Sequence, residues 1–322
     1  MPVKKEAAEK RTLAEKISSI GTIIGSILKI GITIFILLFI LSFFLPAAEI
    51  VTGNVAVVPL KGTLTADNDA ATLLGEFVSS KKITEWIEKA AESADIKAII
   101  LDINSPGGTP VASDEIVRAV KRARQKKPVY SVIGEVGTSG AYWVASASDK
   151  ILANPMSVTG SIGVLASYLE FSGLIKEYNV TYQRLVSGKY KDMGSRFKEL
   201  TPAERELLQR KIDLVHEFFV RDVAENRKLP IEKVREVATG EIFLGTEALT
   251  LGLIDELGDR NDAIKMLERS LNITAKVFEF KRKPRLFGSL ADATNSFAYY
   301  VGRGIGAELT ASSANNEIEL RT

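Results

Sequence analysis

Residues Ile96 to Gly108 read IKAIILDINSPGG, and the organisation of the chain can be built outward from them. Ile96–Ile103 is an almost unbroken run of apolar and β-branched residues. A strand with one wet face alternates polar and apolar positions. A run without alternation is a strand buried on both faces, as in a parallel sheet covered by helices. Asn104-Ser105-Pro106-Gly107-Gly108 then ends the run sharply, since proline and glycine punctuate regular structure.

The flanking sequence repeats this rhythm. Asn54–Leu60 (NVAVVPL) reads as a strand and Leu73–Ala94 carries helical spacing. After the glycine turn, Val111–Arg124 is a helix with its charges on one side, and Val129–Ile133 is a second buried strand. Ser139–Ser148 is a short helix and Lys150–Ala153 a short strand. Strand, helix, strand in this order predicts βαβ units, a mostly parallel sheet and the α/β class. Thr201-Pro202-Ala203-Glu204 is a helix start: threonine caps, proline suits the first turn, and glutamate closes a capping box. That helix should run to about Lys228, with Leu207, Leu208, Ile212, Val215, Phe219 and Val223 as its apolar stripe. Ile231–Thr239 reads as another helix, and Gly240–Gly258 as a turn, a short strand, a helix and a strand end.

Composition narrows the function. The 322 residues are 46% hydrophobic and 25% charged, ordinary for a globular protein. A net charge of +2, with no basic stripe interleaved with aromatics, gives no reason to expect nucleic acid. There is no cysteine and a single histidine, His216. That excludes disulfides and a cysteine nucleophile and argues against a zinc site; no metal and no cofactor are expected.

The N-terminal region is a candidate membrane anchor. Ile30–Leu45 carries no charge, and Ile20–Leu28 extends the apolar stretch to a length that spans a bilayer. Lys4, Lys5, Lys10, Arg11 and Lys16 precede it, and after Lys29 the next basic residue is Lys61. By the positive-inside rule, residues 1–19 are cytoplasmic, 20–46 form a signal anchor, and the rest lies on the extracytoplasmic side. A cleaved signal peptide is the competing reading, but its apolar region is normally shorter and Pro46-Ala47-Ala48 is a poor cleavage site. Residues 47–280 make the soluble domain. Residues 281–322, opening with KRKPR, form a tail that is either a surface helix or loosely ordered.

Candidate chemistry clusters at strand ends. Ser139 follows a buried strand and opens a helix, which exposes its hydroxyl where the helix N-terminus favours negative charge. The Ser105–Gly108 turn follows the neighbouring strand, so the two should meet at the sheet edge where sites form in parallel sheets. Its paired glycines suit an oxyanion hole. A serine needs a base. Lys189 and Lys191 are two apart, so on an extended segment both face one side and alternation does not choose between them. His216 sits on an amphipathic helix and is expected to be a partly buried helix residue rather than a base. Thr159-Gly160-Ser161-Ile162-Gly163-Val164 is a further glycine-punctuated turn, whose hydroxyl could orient a lysine amine.

Five motifs in order, SPGG at Ser105–Gly108, GTSGAYWVAS at Gly137–Ser146, TGSIGV at Thr159–Val164, SGKYKDMGS at Ser187–Ser195 and GTEALTLGLIDELG at Gly245–Gly258, resemble the signal peptide peptidase A family. These are membrane-anchored serine proteases with a Clp protease/crotonase-like ββα-repeat fold. The resemblance covers roughly Val55–Leu257. It implies that Ser139 is the nucleophile, that Lys191 (the lysine followed by aspartate) is the general base, and that Ser161 hydrogen-bonds the lysine amine. The backbone N–H groups of Gly108 and Gly140 would form the oxyanion hole. It also implies peptide substrates such as cleaved signal peptides, a lipid bilayer as partner, and a homo-oligomer. Thr138 and Glu241 depart from the residues usual in that family. A membrane protease of the stomatin-cleaving type would share the chemistry, and a crotonase-like acyl-CoA enzyme would share the fold.

Overall fold

The computed structural model describes residues 28–37, 39, 52–67, 71–72 and 75–281. The chain divides into two units, Met1–Val51 and Thr52–Thr322. In the first, residues 28–37 are helical (α1) and carry exposed Leu28, Ile30, Ile32 and Phe35. Among the described residues no helix is long and apolar enough to cross a membrane. Residues 1–19, most of the anchor expected at 20–46, and the tail beyond Lys281 lie outside the described residues.

The second unit is built on the expected parallel sheet. Strands β1 (Val55–Lys61), β5 (Ala98–Ser105), β6 (Val129–Thr138), β7 (Lys150–Ala153), β10 (Glu256–Leu257) and β11 (Val277–Glu279) run in the order β10-β7-β6-β5-β1-β11, every pair parallel. On one face Val55, Val57, Ala98, Ile100, Tyr130, Val132 and Leu152 pack with Ala263 and Leu267 of helix α9 (Arg260–Leu271). The intervening residues Ala56, Val58, Ile99 and Leu101 point the other way and are equally buried. Helices α2 (Ser80–Glu92) and α3 (Pro110–Arg124) lie against the sheet there. Burial on both faces is why these strands read as unbroken apolar runs.

Two segments differ from their sequence reading. The helix expected over Leu73–Ala94 begins only at Ser80, because Gly75–Ser79 is a strand (β4). It pairs with β2 (Thr63–Thr65) and with β3 (Ala71–Thr72) in a small separate sheet. Tertiary pairing overrides a helical spacing that Gly75 and the β-favouring Phe77 and Val78 support only weakly. The strand expected to end at Ile133 continues to Thr138 and changes partners on the way. Tyr130–Ile133 pair with β7, whereas Val136–Thr138 pair with β8 (Val158–Gly160), which in turn pairs antiparallel with β9 (Ile242–Leu244). At the crossing, Ser157 Oγ donates to the Ile133 and Gly134 carbonyls, and Asn104 Oδ1 accepts from the Val136 N–H.

The long helix α6 spans Pro202–Arg227 with the capping box formed and Lys228 as its left-handed C-cap. Its stripe is covered only in part. Phe219 and Val223 are buried, while Leu207, Leu208, Ile212 and Val215 are half-buried and Leu214 and Phe218 are exposed. Residues 161–200 contain one short helix, α5 (Ser172–Glu177), and expose Leu165, Leu169, Val180 and Leu185.

Candidate active site

The site grows from the C-terminal ends of β5 and β6. Ser139 is the N-cap of α4 (Gly140–Ser146), with φ 52° and ψ −125°. A non-glycine residue at positive φ is strained, and such strain persists where surrounding structure enforces it. Here the Ser139 N–H is fixed by the Gly160 carbonyl at 2.8 Å, and its own carbonyl accepts from the Trp143 N–H at 2.9 Å. The sharp strand-to-helix turn leaves the side chain projecting from the end of the sheet.

Two backbone amides stand beside it. Gly140 is the first residue of α4, so its N–H has no acceptor within the helix. Gly108 is bridged to Leu64: the Leu64 N–H donates to the Gly107 carbonyl at 2.8 Å, and the Thr109 N–H donates to the Leu64 carbonyl at 3.0 Å. In such a parallel bridge the central residue turns its own N–H to the opposite side, away from Leu64. Gly140 is close by: a Cβ placed on it would lie 3.3 Å from the Gly108 nitrogen. A Cβ on Gly107, at φ +94°, would lie 2.7 Å from the Gly140 nitrogen. Glycine is thus required at 107, 108 and 140 to let two chains and a helix start approach each other. Thr138 also binds the two loops together, its Oγ1 donating to the Pro106 carbonyl at 3.2 Å. This gives the departure at Thr138 a local purpose.

Ser161 follows directly on the β6–β8 pairing of Thr138 with Gly160, and the Gly160 carbonyl accepts the Ser139 N–H, so the two serines leave neighbouring strand ends. Ser161 too has positive φ, 51°, and its N–H donates to the Glu241 carbonyl at 2.7 Å. At Glu241, then, the contact to the site is made by the main chain, which any residue supplies.

Ser139, Gly108 and Gly140 line one cavity of about 140 Å³. Its walls are Pro110 and Ser113 from α3, Trp143 from α4, Val215 and Phe219 from α6, and Gly163–Leu165. Ser113 and Trp143 were not marked by sequence reasoning. Trp143 lies four residues after Ser139, one helical turn on, and that spacing was the available signal. Phe219 was read only as part of the α6 stripe.

Lys191 is not a wall of this cavity; it is exposed, in a run of turns at 187–194 instead of an extended segment. Its N–H donates to the Gly188 carbonyl. Lys189 lies over the Tyr190 ring, 5.1 Å from its centroid. Asp192 faces Arg184 and Lys198, and the hydrogen bond from Arg184 holds its carboxyl below the ordinary value. His216 lies on α6 outside the cavity wall, its Nε2 buried with no partner among the described residues. Among the described residues no cluster of His, Cys, Asp or Glu could hold a metal ion.

A serine on a strained turn, two glycine amides close to it and a largely apolar cavity form a constellation suited to acyl transfer. Residues 121–274 match the family model described as Peptidase family S49. The chain is 35% identical over 254 residues to the Methanocaldococcus jannaschii protein MJ0651, provisionally named a protease, a match over 76% of this chain and 80% of that one. The chain belongs to peptidase family S49. It is a serine peptidase of the signal peptide peptidase A kind. Other S49 relatives are longer. The chloroplastic serine protease SPPA of Arabidopsis thaliana is 30% identical over 68% of this chain and 32% of its own length. Protease 4 of Haemophilus influenzae is 32% identical over 69% of this chain and 35% of its own length. This chain therefore spans about a third of those two proteins. The central α/β sheet of the S49 chain agrees with the Clp protease-like fold expected of it.

Proposed function

We propose that the chain is a membrane-anchored endopeptidase in which Ser139 attacks the scissile carbonyl and Lys191 of a second copy is the general base. The observation that carries this reading is the turn at Ser139, held at φ 52° beside the Gly108 and Gly140 amides. Neutral Lys191 takes the Ser139 proton as the Ser139 oxygen bonds to the carbonyl carbon. The two N–H groups receive the oxyanion, and the lysine returns the proton to the leaving amine. Water then hydrolyses the acyl-enzyme by the same route, with Lys191 as base.

Two features support a second copy as the source of the lysine. A lysine amine serves as a general base only when it is taken out of water. Within one protomer Lys191 is exposed and outside the Ser139 cavity. Its segment also exposes Leu165, Leu169, Val180 and Leu185, as α6 exposes Leu214 and Phe218. Covering this surface with another protomer buries both the apolar side chains and the amine. Ser161, beside Ser139, is the residue to orient that amine.

The apolar cavity favours extended apolar peptides, and signal peptides left in the bilayer after secretion fit it. The charge pattern around residues 20–46 supports an anchor with the N-terminus in the cytoplasm and the catalytic domain on the other side. Ser139→Ala and Lys191→Ala are each expected to abolish hydrolysis of an apolar peptide, and a fluorophosphonate should label Ser139. Co-assembly of the two inactive variants should restore activity, because some interfaces then pair an intact Ser139 with an intact Lys191. Full hydrolysis by both single variants overturns the dyad; absence of complementation in a mixed assembly overturns its sharing between copies.

A further inference from the structure

Trp143 lines two cavities at once. One is the 140 Å³ cavity beside Ser139; the other, of about 300 Å³, is walled by Val111, Asp114, Arg118, Phe218 and Asp222. Pro110, Trp143 and Val215 are common to both, and of the three Trp143 presents the largest side chain to the boundary. Its indole stacks on Phe219, centroids 4.8 Å apart and planes inclined by 17°. Stacking fixes the distance between rings but only loosely their rotation, since χ2 of an aromatic side chain is a soft torsion. The rotation is set by a polar tether. Trp143 Nε1–H donates to Asp222 Oδ2 at 2.9 Å, and Asp222 Oδ1 accepts from Lys121 Nζ at 3.1 Å. One carboxylate thereby joins α3 through Lys121, α4 through Trp143, and its own helix α6. These helices carry the cavity walls at Pro110, Ser113, Trp143, Val215 and Phe219, and α4 starts directly after Ser139.

We propose that Trp143 is the partition that limits the depth of the specificity cavity beside Ser139, and that Asp222 and Lys121 are positioning residues that hold the partition closed. The proposal rests on the reading of Ser139 as the nucleophile. A dry cavity of about 150 Å³ is known to admit a single benzene ring. A cavity of about 140 Å³ therefore takes an aliphatic side chain or one ring from the substrate residue before the cleaved bond. A bicyclic side chain must displace Trp143 into the larger cavity behind it. Turning the ring changes the position of its N–H relative to Asp222 Oδ2, so the 2.9 Å hydrogen bond opposes the displacement.

The test uses the full-length protein and a peptide series differing only in the residue before the cleaved bond: leucine, phenylalanine and naphthylalanine. The readout is the ratio of kcat/KM for naphthylalanine to that for leucine. Trp143→Ala and Asp222→Ala should each raise this ratio about tenfold, the scale on which an apolar pocket discriminates. Asp222→Asn keeps an oxygen for the indole but turns an NH2 toward Lys121, so its ratio should lie between those of the parent and Asp222→Ala, and a parental ratio would remove Lys121 from the tether. A general structural defect lowers all three substrates together and does not move the ratio. If Asp222→Ala gives no cooperative thermal transition, Trp143→Phe, which keeps a ring on Phe219 and removes the N–H, should raise the ratio in its place. Folded Trp143→Ala or Trp143→Phe with an unchanged ratio overturns the partition; an unchanged ratio in folded Asp222→Ala alone overturns the tether. Ser139→Ala serves as a separate control: persistent hydrolysis there overturns the nucleophile on which the proposal rests, whereas loss of hydrolysis there with an unchanged ratio in the Trp143 variants overturns the partition alone.

Discussion

Gly108→Ala tests whether the amide at this position carries charge in the transition state. A Cβ here would lie 2.0 Å from the Leu64 carbonyl oxygen and 2.5 Å from its nitrogen. Both atoms are main chain, in a strand paired to β4 from Thr63 to Thr65, so no side-chain rotation relieves the contact. The two segments must part by about 1 Å or more to restore ordinary van der Waals separation. Parting them breaks the hydrogen bonds from Leu64 N–H to Gly107 and from Thr109 N–H to Leu64. At about 1 kcal/mol each, the stability loss is about 2 kcal/mol, which a domain of this size survives. The catalytic loss is larger. Loss of one oxyanion donor lowers kcat about 10²–10³-fold, equivalent to about 3–4 kcal/mol of transition-state stabilisation. Steady-state hydrolysis of an apolar peptide, paired with a thermal melt, separates the two effects. A folded Gly108→Ala protein with kcat within about threefold of the parent would refute the placement of this amide in the oxyanion hole.

Three other outcomes follow from named contacts. A Cβ on Gly140 would lie 2.2 Å from Ser113 Oγ but 3.2 Å from Ser113 Cβ, so Gly140→Ala should lower kcat strongly and Ser113→Ala should recover part of the loss; additive losses in the double variant would exclude this clash as the cause. Asp255 is pushed upward by burial, but its hydrogen bond and charge interaction with Arg227, with help from the Ile151 N–H, leave its pKa below the ordinary value. A depressed carboxylate pKa stabilises the fold above the unfolded-state value of about 4, and that stability is lost as pH falls through the folded value; Asp255→Asn should therefore melt lower at neutral pH and show a shallower loss on acidification, and parallel melting profiles would exclude the linkage. Thr201→Ala removes the side-chain cap of α6 and should cost about 1 kcal/mol in chemical denaturation, with no change in kcat if the helix start serves stability alone.

Much of the fold is legible in local chemistry. The Ile96–Ile103 run, the capping box at Thr201 and the glycine turns each record a constraint that acts within a few residues. The segments that differ record pairings made at a distance. β4 is a strand because β2 lies beside it, and the second half of β6 is a strand because β8 replaces β7. For the site, a buried strand followed by Gly-Thr-Ser-Gly was enough to bring Ser139 and Gly140 near Gly108. The cavity walls were hidden because they are ordinary packing residues until three helices meet. Trp143 and Phe219 have the periodicity of any core face, and the Asp222–Lys121 pair spans 101 residues. Lys191 was singled out by its motif, but no local pattern states which surface dries its amine.

The exchange of partners along β6 separates two inheritances within one strand. Residues 130–133 belong to the load of the main sheet, and any change there is felt by β5 and β7. Residues 136–138 keep β5 on one side, through Ser105 and Gly137, and take the short branch of β8 and β9 on the other. The branch thereby braces the turn at Ser139 from its far side, because Gly160 at the end of β8 holds the Ser139 N–H.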